Sequence, residues 1–404
     1  MVWFSSFDII KLTKTSTTFT DNFVCELHHS TTKWFLIACQ ILALAYDFFG
    51  DPVICTNHED WREKLLNWWC WNQGVYTVPS GGSLADPDVP WKATKKHHAW
   101  YKWSWVMFLA QALLFYVPRY IWKNWEGGKL DSLLKYEKDD KADKNKIILG
   151  GGSMIDVVKL AKKFHKTFHS HGLYAAKLFF CEVLNLVNVV GQLFWMDFIL
   201  GGKFLSHGPQ YIMELMRRSS ISFTERMKSQ TDLIYQGKYS RECFQVLKIY
   251  NIIFFLVFPR LAKCQFYVVG PGGESELKDS LCMLSINNAN EKIFIFLWFW
   301  MYVLTLITII HIFWRILQLI SPVIRKSALY GELNFCRPGS SLQYIRQNLP
   351  SEDLQYVLQK CYFGDWFLLY QLAKHFTNPE GFHAFILELR KRLDNPQMDE
   401  IVFR

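Results

Sequence analysis

The sequence predicts an all-α integral membrane protein: a four-transmembrane-helix bundle with disulfide-stapled extracellular loops and a helical cytoplasmic domain. Three observations point there. Half of the 404 residues are hydrophobic, yet they are gathered into long uncharged runs rather than spread periodically as in a soluble core. Lys and Arg flank particular ends of those runs, as they do where spans are oriented by charge. Of the ten Cys, five fall in two loops that the charge bias places on one side, and two in the first loop with two late in the second make an even set that reads as disulfides.

A span needs about 20 mainly apolar residues. The clearest runs from Ile293 to Trp314, uncharged and bracketed by Lys292 and Arg315. Trp103–Trp122 is a second, with Pro118 expected to kink it near its inner end. Leu178–Leu200 is a third and carries Glu182 and Asp197 near its ends. Trp34–Phe49 is short and ends close to Asp47; it needs Thr31 and Thr32, or neighbouring helices, to reach the full length. The ten apolar residues Ile249–Phe258 are too few for a helical span and read as a buried or interfacial segment. Ala43-Leu44-Ala45 resembles a signal-peptidase site, but 33 residues precede the apolar run, too many for a signal sequence.

Residues 123–173 hold eleven Lys against seven Asp or Glu, Arg325 and Lys326 follow the fourth span, and Lys11, Lys14 and Lys33 precede the first. The positive-inside rule then gives this order: 1–30 cytoplasmic, 31–50 first span, 51–102 outside, 103–122 second span, 123–173 cytoplasmic, 174–200 third span, 201–292 outside, 293–320 fourth span, 321–404 a cytoplasmic helical tail. Lys95 and Lys96 run mildly against it. The outer cysteines are Cys55 and Cys70 in the first loop and Cys264 and Cys282 in the second; four allow three pairings, and Cys243 is an odd fifth.

At this level of detail the chain resembles a known family, the innexins. The strongest match is PRYIWKNWEGGKL, Pro118–Leu130, with Pro118, Trp122, Trp125, Glu126, Gly127 and Gly128 as the motif residues. LNLVNVVGQLFWMDFILGG (Leu184–Gly202), NEKIFIFLWFW (Asn290–Trp300), GDPVIC (Gly50–Cys55), FPRLAKC (Phe258–Cys264) and GDWFLLYQLAK (Gly364–Lys374) follow in family order. The family's Tyr-Tyr-Gln-Trp-Val is here Trp100-Tyr101-Lys102-Trp103-Ser104, which puts a charge in place of an amide. The stretch 237–257 is extra to a family loop; one reading is a retained intron, since Gly-Lys-Tyr can be encoded across a GTAAGT donor.

The resemblance implies a large-pore channel subunit of invertebrate gap junctions, with undocked hemichannels and a pore-less tetraspan adhesion protein as alternatives. It implies homo- or hetero-oligomers with other innexins, eight subunits per half-channel, docking to a half-channel of the adjacent cell, and disulfides between the two loops. It also implies a pore lined by the amino-terminal segment and the first span, which makes Gln40, Asp47 and Asp51 the pore-lining candidates. Acidic rings at Asp47 and Asp51 would favour cations.

Other signals lead nowhere sharper. Glu182, Asn185, Asn188 and Gln192 share an arc of roughly 120° on a helix and read first as interhelical hydrogen-bonding groups. His165, His169 and His171 lack further metal ligands nearby and read as solvated or interfacial. Gly150-Gly151-Gly152-Ser153 lacks the Lys of a phosphate-binding loop. No nucleophile–base arrangement, cofactor motif or nucleic-acid-binding motif is visible, so the expected surroundings are membrane lipids and protein partners. In the tail, Asn378-Pro379-Glu380 is a helix start, and Phe382, Phe385, Ile386 and Leu389 form one apolar face.

Overall fold

In the computed structural model, the described residues are 21–56, 63–77, 96–134, 146–148, 154–202, 204–206, 208–209, 212, 258–269, 272–335, 351–376 and 379–395. In chain order the elements begin with α1 (Phe23–Phe49), which contains a π-helical turn at Leu27–Thr32 closed by Thr32 Oγ1 donating to the Leu27 carbonyl at 2.8 Å. Then come β1 (Ile54–Cys55), α2 (Glu63–Gln73), β2 (Val75–Thr77), β3 (Lys96–His98), a 3₁₀ turn at Trp100–Trp103, α3 (Ser104–Glu126) and α4 (Lys129–Leu134). The strands β4 (Lys146–Ile148) and β5 (Met154–Asp156) lead into α5 (Val157–Lys166) and α6 (Gly172–Ile199). The hairpin β6 (Leu261–Val269) and β7 (Ser275–Met283) precedes α7 (Ser285–Ile320), and the tail forms α8 (Pro322–Phe335), α9 (Ser351–Lys360), α10 (Phe363–Ala373) and α11 (Pro379–Asp394).

Each of the four apolar runs lies in a long helix. Among the described residues, α1, α6 and α7 are long and apolar enough to cross a membrane. The helix α1 reaches the needed length by extending back through Thr31 and Thr32 to Phe23. At 1.5 Å per residue α3 is about 35 Å long, but Gln111, Pro118 and Arg119, with several Trp and Tyr, make it less apolar than the other three. Pro118 sits inside this helix and leaves the Leu114 carbonyl without its intrahelical donor.

The chain folds as two units. One comprises the described residues within 27–116 and 186–307. Its core joins Leu36, Cys39 and Ala43 of α1, Phe108 and Phe115 of α3, Val189 and Met196 of α6, and Leu297 and Met301 of α7. Phe294 is its aromatic hub, edge-on to Trp100 at 5.5 Å and Phe258 at 5.3 Å. Phe258 is buried and closes the apolar stretch expected to be buried or interfacial; the rest of that stretch, and all of 237–257, lies outside the described residues. In the same unit lies a five-stranded antiparallel sheet in the order β1-β7-β6-β2-β3. This corrects the all-α expectation: the protein is mostly helical, but the cysteine-bearing loops build a sheet.

The other unit comprises residues 21–26, 117–185 and the described part of 308–395. Asp156 caps α5 by accepting from Val158 N at 2.9 Å, and the helix buries Val157, Leu160, Ala161 and Phe164 at the i, i+3, i+4, i+7 spacing of one face. That face meets the tail, where Phe382, Phe385, Ile386 and Leu389 of α11 are fully buried. Asn378 itself lies outside the described residues.

The carboxylate of Asp365, 1% exposed, accepts from Tyr362 N, His169 N and His171 Nδ1, and His169 Nδ1 lies 3.2 Å away. His171 is thereby held against the tail, while His169 reaches the same carboxylate and stays 46% exposed, as a solvated or interfacial histidine would. Gly364 is required there, because a Cβ would come within 2.4 Å of the His171 backbone.

Candidate functional site

The sheet is built by both cysteine-bearing loops. The β6–β7 hairpin of the second loop pairs Leu261 with Met283 through to Val269 with Ser275, and strands of the first loop flank it on both sides. On one side β1 places Cys55 directly opposite Cys282, and the two form a disulfide with S–S 2.04 Å. On the other side β2 joins at Tyr76↔Lys263. A second disulfide, S–S 1.98 Å, ties Cys70 on α2 to Cys264 on β6. Each bridge thus joins one loop to the other. All four cysteines are buried, and the sulfurs of Cys55, Cys70 and Cys282 lie within 4.8 Å of one another; as disulfide partners they are already covalently occupied.

Polar contacts fix this arrangement. Cys55 N donates to Asn67 Oδ1 of α2 at 2.8 Å, Thr56 N donates to the Leu281 carbonyl at 2.9 Å, and Ser280 Oγ donates to the Thr56 carbonyl at 2.7 Å. Tyr76 donates to Asp279 at 3.3 Å, and burial together with that carboxylate pushes its phenol pKa upward. Lys102, the charge standing where the family has an amide, donates to the Asn72 carbonyl in the last turn of α2 at 2.5 Å. A cation suits that end of a helix, although burial lowers the pKa of Lys102. Leu65 and Trp68 stay exposed on α2.

The pore-lining candidates separate. Gln40 and Asp47 fall on the side of α1 that also buries Leu36 and Ala43, and both are half-buried. One carboxylate oxygen of Asp47 is buried without a hydrogen-bond partner. Asp51 is exposed beyond the end of α1, and its carbonyl accepts from Ser285 Oγ. The opposite face of α1 is apolar and exposed at Trp34, Ile41 and Phe48.

The innexin family model matches residues 21–393. Innexin inx2 of Schistocerca americana is 32% identical over 389 residues, covering 94% of each chain. Innexin inx2 of Drosophila melanogaster is 31% identical over 93% of this chain and 92% of its own length, and Innexin shaking-B of the same fly is 30% identical over 96% and 94%.

The chain belongs to the innexin family.

Innexins form the gap-junction channels of invertebrates. The protein is accordingly a multi-pass plasma-membrane channel subunit that assembles with copies of itself or with other innexins, and it is not an enzyme.

The innexin motif Pro118–Leu130 is a helix-to-helix joint. Trp122 is buried edge-on against Tyr174 at 5.3 Å, while Trp125, 40% exposed, lies against Phe180 at 5.7 Å with Lys177 over its ring. Glu126 ends α3 and reaches across the turn, its two carboxylate oxygens accepting from Gly128 N at 2.7 Å and Leu130 N at 2.8 Å. It therefore satisfies donors at the start of α4 that the helix cannot satisfy itself. Gly127 and Gly128, at φ +58° and +76°, take the left-handed conformations the reversal needs. Trp122, Glu126, Gly127 and Gly128 thus have a local reason for their identity that only the folded turn reveals.

Sequence reasoning missed one cluster. Glu182, placed in a polar arc of the third span, is 2% exposed and bound on several sides. Arg315 donates to both of its oxygens from Nε at 3.1 and 3.2 Å and again from Nη2 at 3.0 Å; His311 Nε2 lies 3.1 Å away. Asn185, from the same arc, donates to Cys25 Sγ at 3.5 Å. The reading as interhelical hydrogen bonders fits Glu182 and Asn185, whereas among the described residues the Gln192 carboxamide and Asn188 Nδ2 are buried without a hydrogen-bond partner. The partners come from residues far apart in sequence, and only the bracketing position of Arg315 hinted at them.

Proposed function

We propose that this innexin crosses the bilayer four times, along α1, α3, α6 and α7, with residues 51–102 and 201–292 outside the cell and 1–30, 123–173 and 321–404 in the cytoplasm. The observation that carries the reading is the shared sheet. Two loops that interleave strands and two disulfides must lie on one side of the membrane. Between them the chain holds α3 and α6, so the number of crossings there is even. Because α6 is apolar enough to cross, α3 crosses with it. An oxidising exterior suits the bridges, and the Lys excess of 123–173 suits the cytoplasm.

In this arrangement the stapled sheet is the rigid outer surface that docks onto a half-channel of the adjacent cell, each half-channel being a ring of eight subunits. The bridges hold that surface in shape before docking. The pore takes the amino-terminal segment and α1, with exposed Asp51 as the acid nearest the outer mouth, where a carboxylate ring favours cations. Gln40 and Asp47, half-buried on the side of α1 that packs into the core, reach the lumen only if that side opens to it in the ring. The apolar face at Trp34, Ile41 and Phe48 meets lipid or a neighbouring subunit.

Epitope insertions test the sidedness. A tag at 135–145 should be stained only in permeabilised cells, and a tag at 225–235 in intact cells. Staining of the first in intact cells would overturn the topology. Dye transfer between paired expressing cells, set against dye uptake by single cells, separates junctional use from undocked hemichannels.

A further inference from the structure

We propose that Asn22 anchors the amino-terminal segment, clasped between the buried carboxylate of Glu182 and the ammonium of Lys374, so that the tail helix α10 sets the position of the segment entering the pore. The inference rests on the channel reading for its consequence, but not for its geometry.

Asn22 is buried immediately before α1. Its carboxamide is used at both ends. Nδ2 donates to Glu182 Oε1 at 2.5 Å, and Oδ1 accepts from Lys374 Nζ at 3.2 Å. Asparagine carries a donor and an acceptor on one planar group, which is what a carboxylate on one side and an ammonium on the other require. Charge-assisted hydrogen bonds of this kind exceed neutral ones in strength.

Both partners are themselves immobilised. Glu182 is held by Arg315 and His311, and the Arg315 guanidinium is further fixed by Nη1 donating to Gln318 Oε1 at 3.0 Å and by the Phe367 ring 5.1 Å away. Lys374 lies over the ring of Tyr370 at 4.9 Å, and the Tyr370 hydroxyl donates to Glu332 at 3.0 Å. One residue earlier, Asp21 forms an ion pair with Arg119 of α3. The entry to α1 is thereby tied to α3, α6 and, through Lys374, to the tail.

The charges around Asn22 pair off without help from residue 22 itself. Glu182, Asp21 and Glu332 face Arg315, Arg119 and Lys374, with His311 at the edge. Burial lowers the pKa of Lys374 and the Glu332 carboxylate counteracts that. A neutral amide can therefore bridge the two sides without adding a buried charge, whereas an acid or a base at position 22 would unbalance the cluster.

The test uses the full-length protein in inside-out membrane vesicles. Tryptic cleavage at Lys11 and Lys14 reports whether the segment is held. Asn22→Leu, which matches the side chain in size and removes both bonds, is expected to speed that cleavage at least tenfold. Lys374→Met should do so by a smaller factor, and the pair together should add little beyond Asn22→Leu alone. Asn22→Gln keeps both functions on a longer stem and is expected to recover part of the protection. Unchanged cleavage in both Asn22→Leu and Lys374→Met would overturn the anchor. If Asn22→Leu does not reach the membrane, Lys374→Met and Asn22→Gln decide alone: protection equal to wild type in the first overturns it. Single-channel recording of the same variants tests the consequence, with a changed open probability expected. Altered cleavage with no current from any form, wild type included, would strike the channel reading and leave the anchor standing.

Discussion

Removing either disulfide should cost less than half of what removing both costs, because the second closure contributes less once the first has formed. Cys55 and Cys282 are 227 residues apart and Cys70 and Cys264 are 194 apart. Loop-closure entropy puts the first bridge formed at about 5 kcal/mol. The second closes a much smaller circuit, from Cys55 to Cys70 and from Cys264 to Cys282, an effective loop of about 33 residues worth about 4 kcal/mol. Both are upper values, since the spans already restrain the loop ends in a bilayer.

Cys55→Ser/Cys282→Ser and Cys70→Ser/Cys264→Ser should each lose about 4 kcal/mol, and the quadruple Ser variant about 9 kcal/mol. Thermal melts of the detergent-solubilised protein followed by size exclusion rank them. The covalent claim is read separately. With a protease site placed at 225–235, the two halves should stay joined on a non-reducing gel in wild type and in either double variant, and part only in the quadruple variant. Halves that separate without reductant in either double variant would refute the pairing.

Five further outcomes concern single side chains. Gly128→Ala should cost about 1–2 kcal/mol because its φ of +76° disfavours a Cβ, and Glu126→Ala about the same through the lost cap; both are measurable as lowered melting temperatures. Arg315→Met leaves the Glu182 carboxylate buried without its main partner and should cost about 3–5 kcal/mol, with Glu182→Gln/Arg315→Met less damaging than Arg315→Met alone. Gly364→Ala forces α10 off the backbone at His171 and Gly172 and should cost about 1–3 kcal/mol, detected as faster proteolysis between 336 and 350. Cys361 is buried, and burial assisted by the Asp365 charge pushes its thiol up to about 12; iodoacetamide at pH 7.5 should leave it unmodified in the folded protein and modify it after denaturation.

How much of this was legible in advance depended on the kind of signal. Apolar length found all four long helices, because a run such as Ile293–Trp314 has no soluble alternative. It misjudged the start of α1, where His28, His29 and Thr32 are buried; polar residues at a span entrance carry no apolar signature.

The sheet was invisible for a different reason. Strands of two or three residues such as β1, β2 and β3 are too short to show a period of two. In β6 the alternation follows the sequence, with Ala262 and Cys264 buried and Lys263 and Gln265 more open, whereas the end of β7 buries Ser280 and Cys282 and exposes Leu281 and Met283, against the apolar pattern. The cysteines were found by counting, and their partners needed the register that places Cys55 opposite Cys282.

Glu182 with Arg315, and Asp365 with His169 and His171, are tertiary pairs separated by more than a hundred residues. No single sequence encodes such a distance. The Glu126 cap lies within four residues of its donor partners, yet its meaning required the turn at Gly127 and Gly128.

The central claim is that this innexin makes a channel between cells. Junctional conductance between two cells, each expressing the full-length chain and abutted in a dual recording, tests it most directly. A transcellular conductance is expected that appears only when both cells express the protein and is lost in the quadruple Cys→Ser variant. Surface-expressed protein in both cells with no conductance above that of untransfected pairs would contradict it.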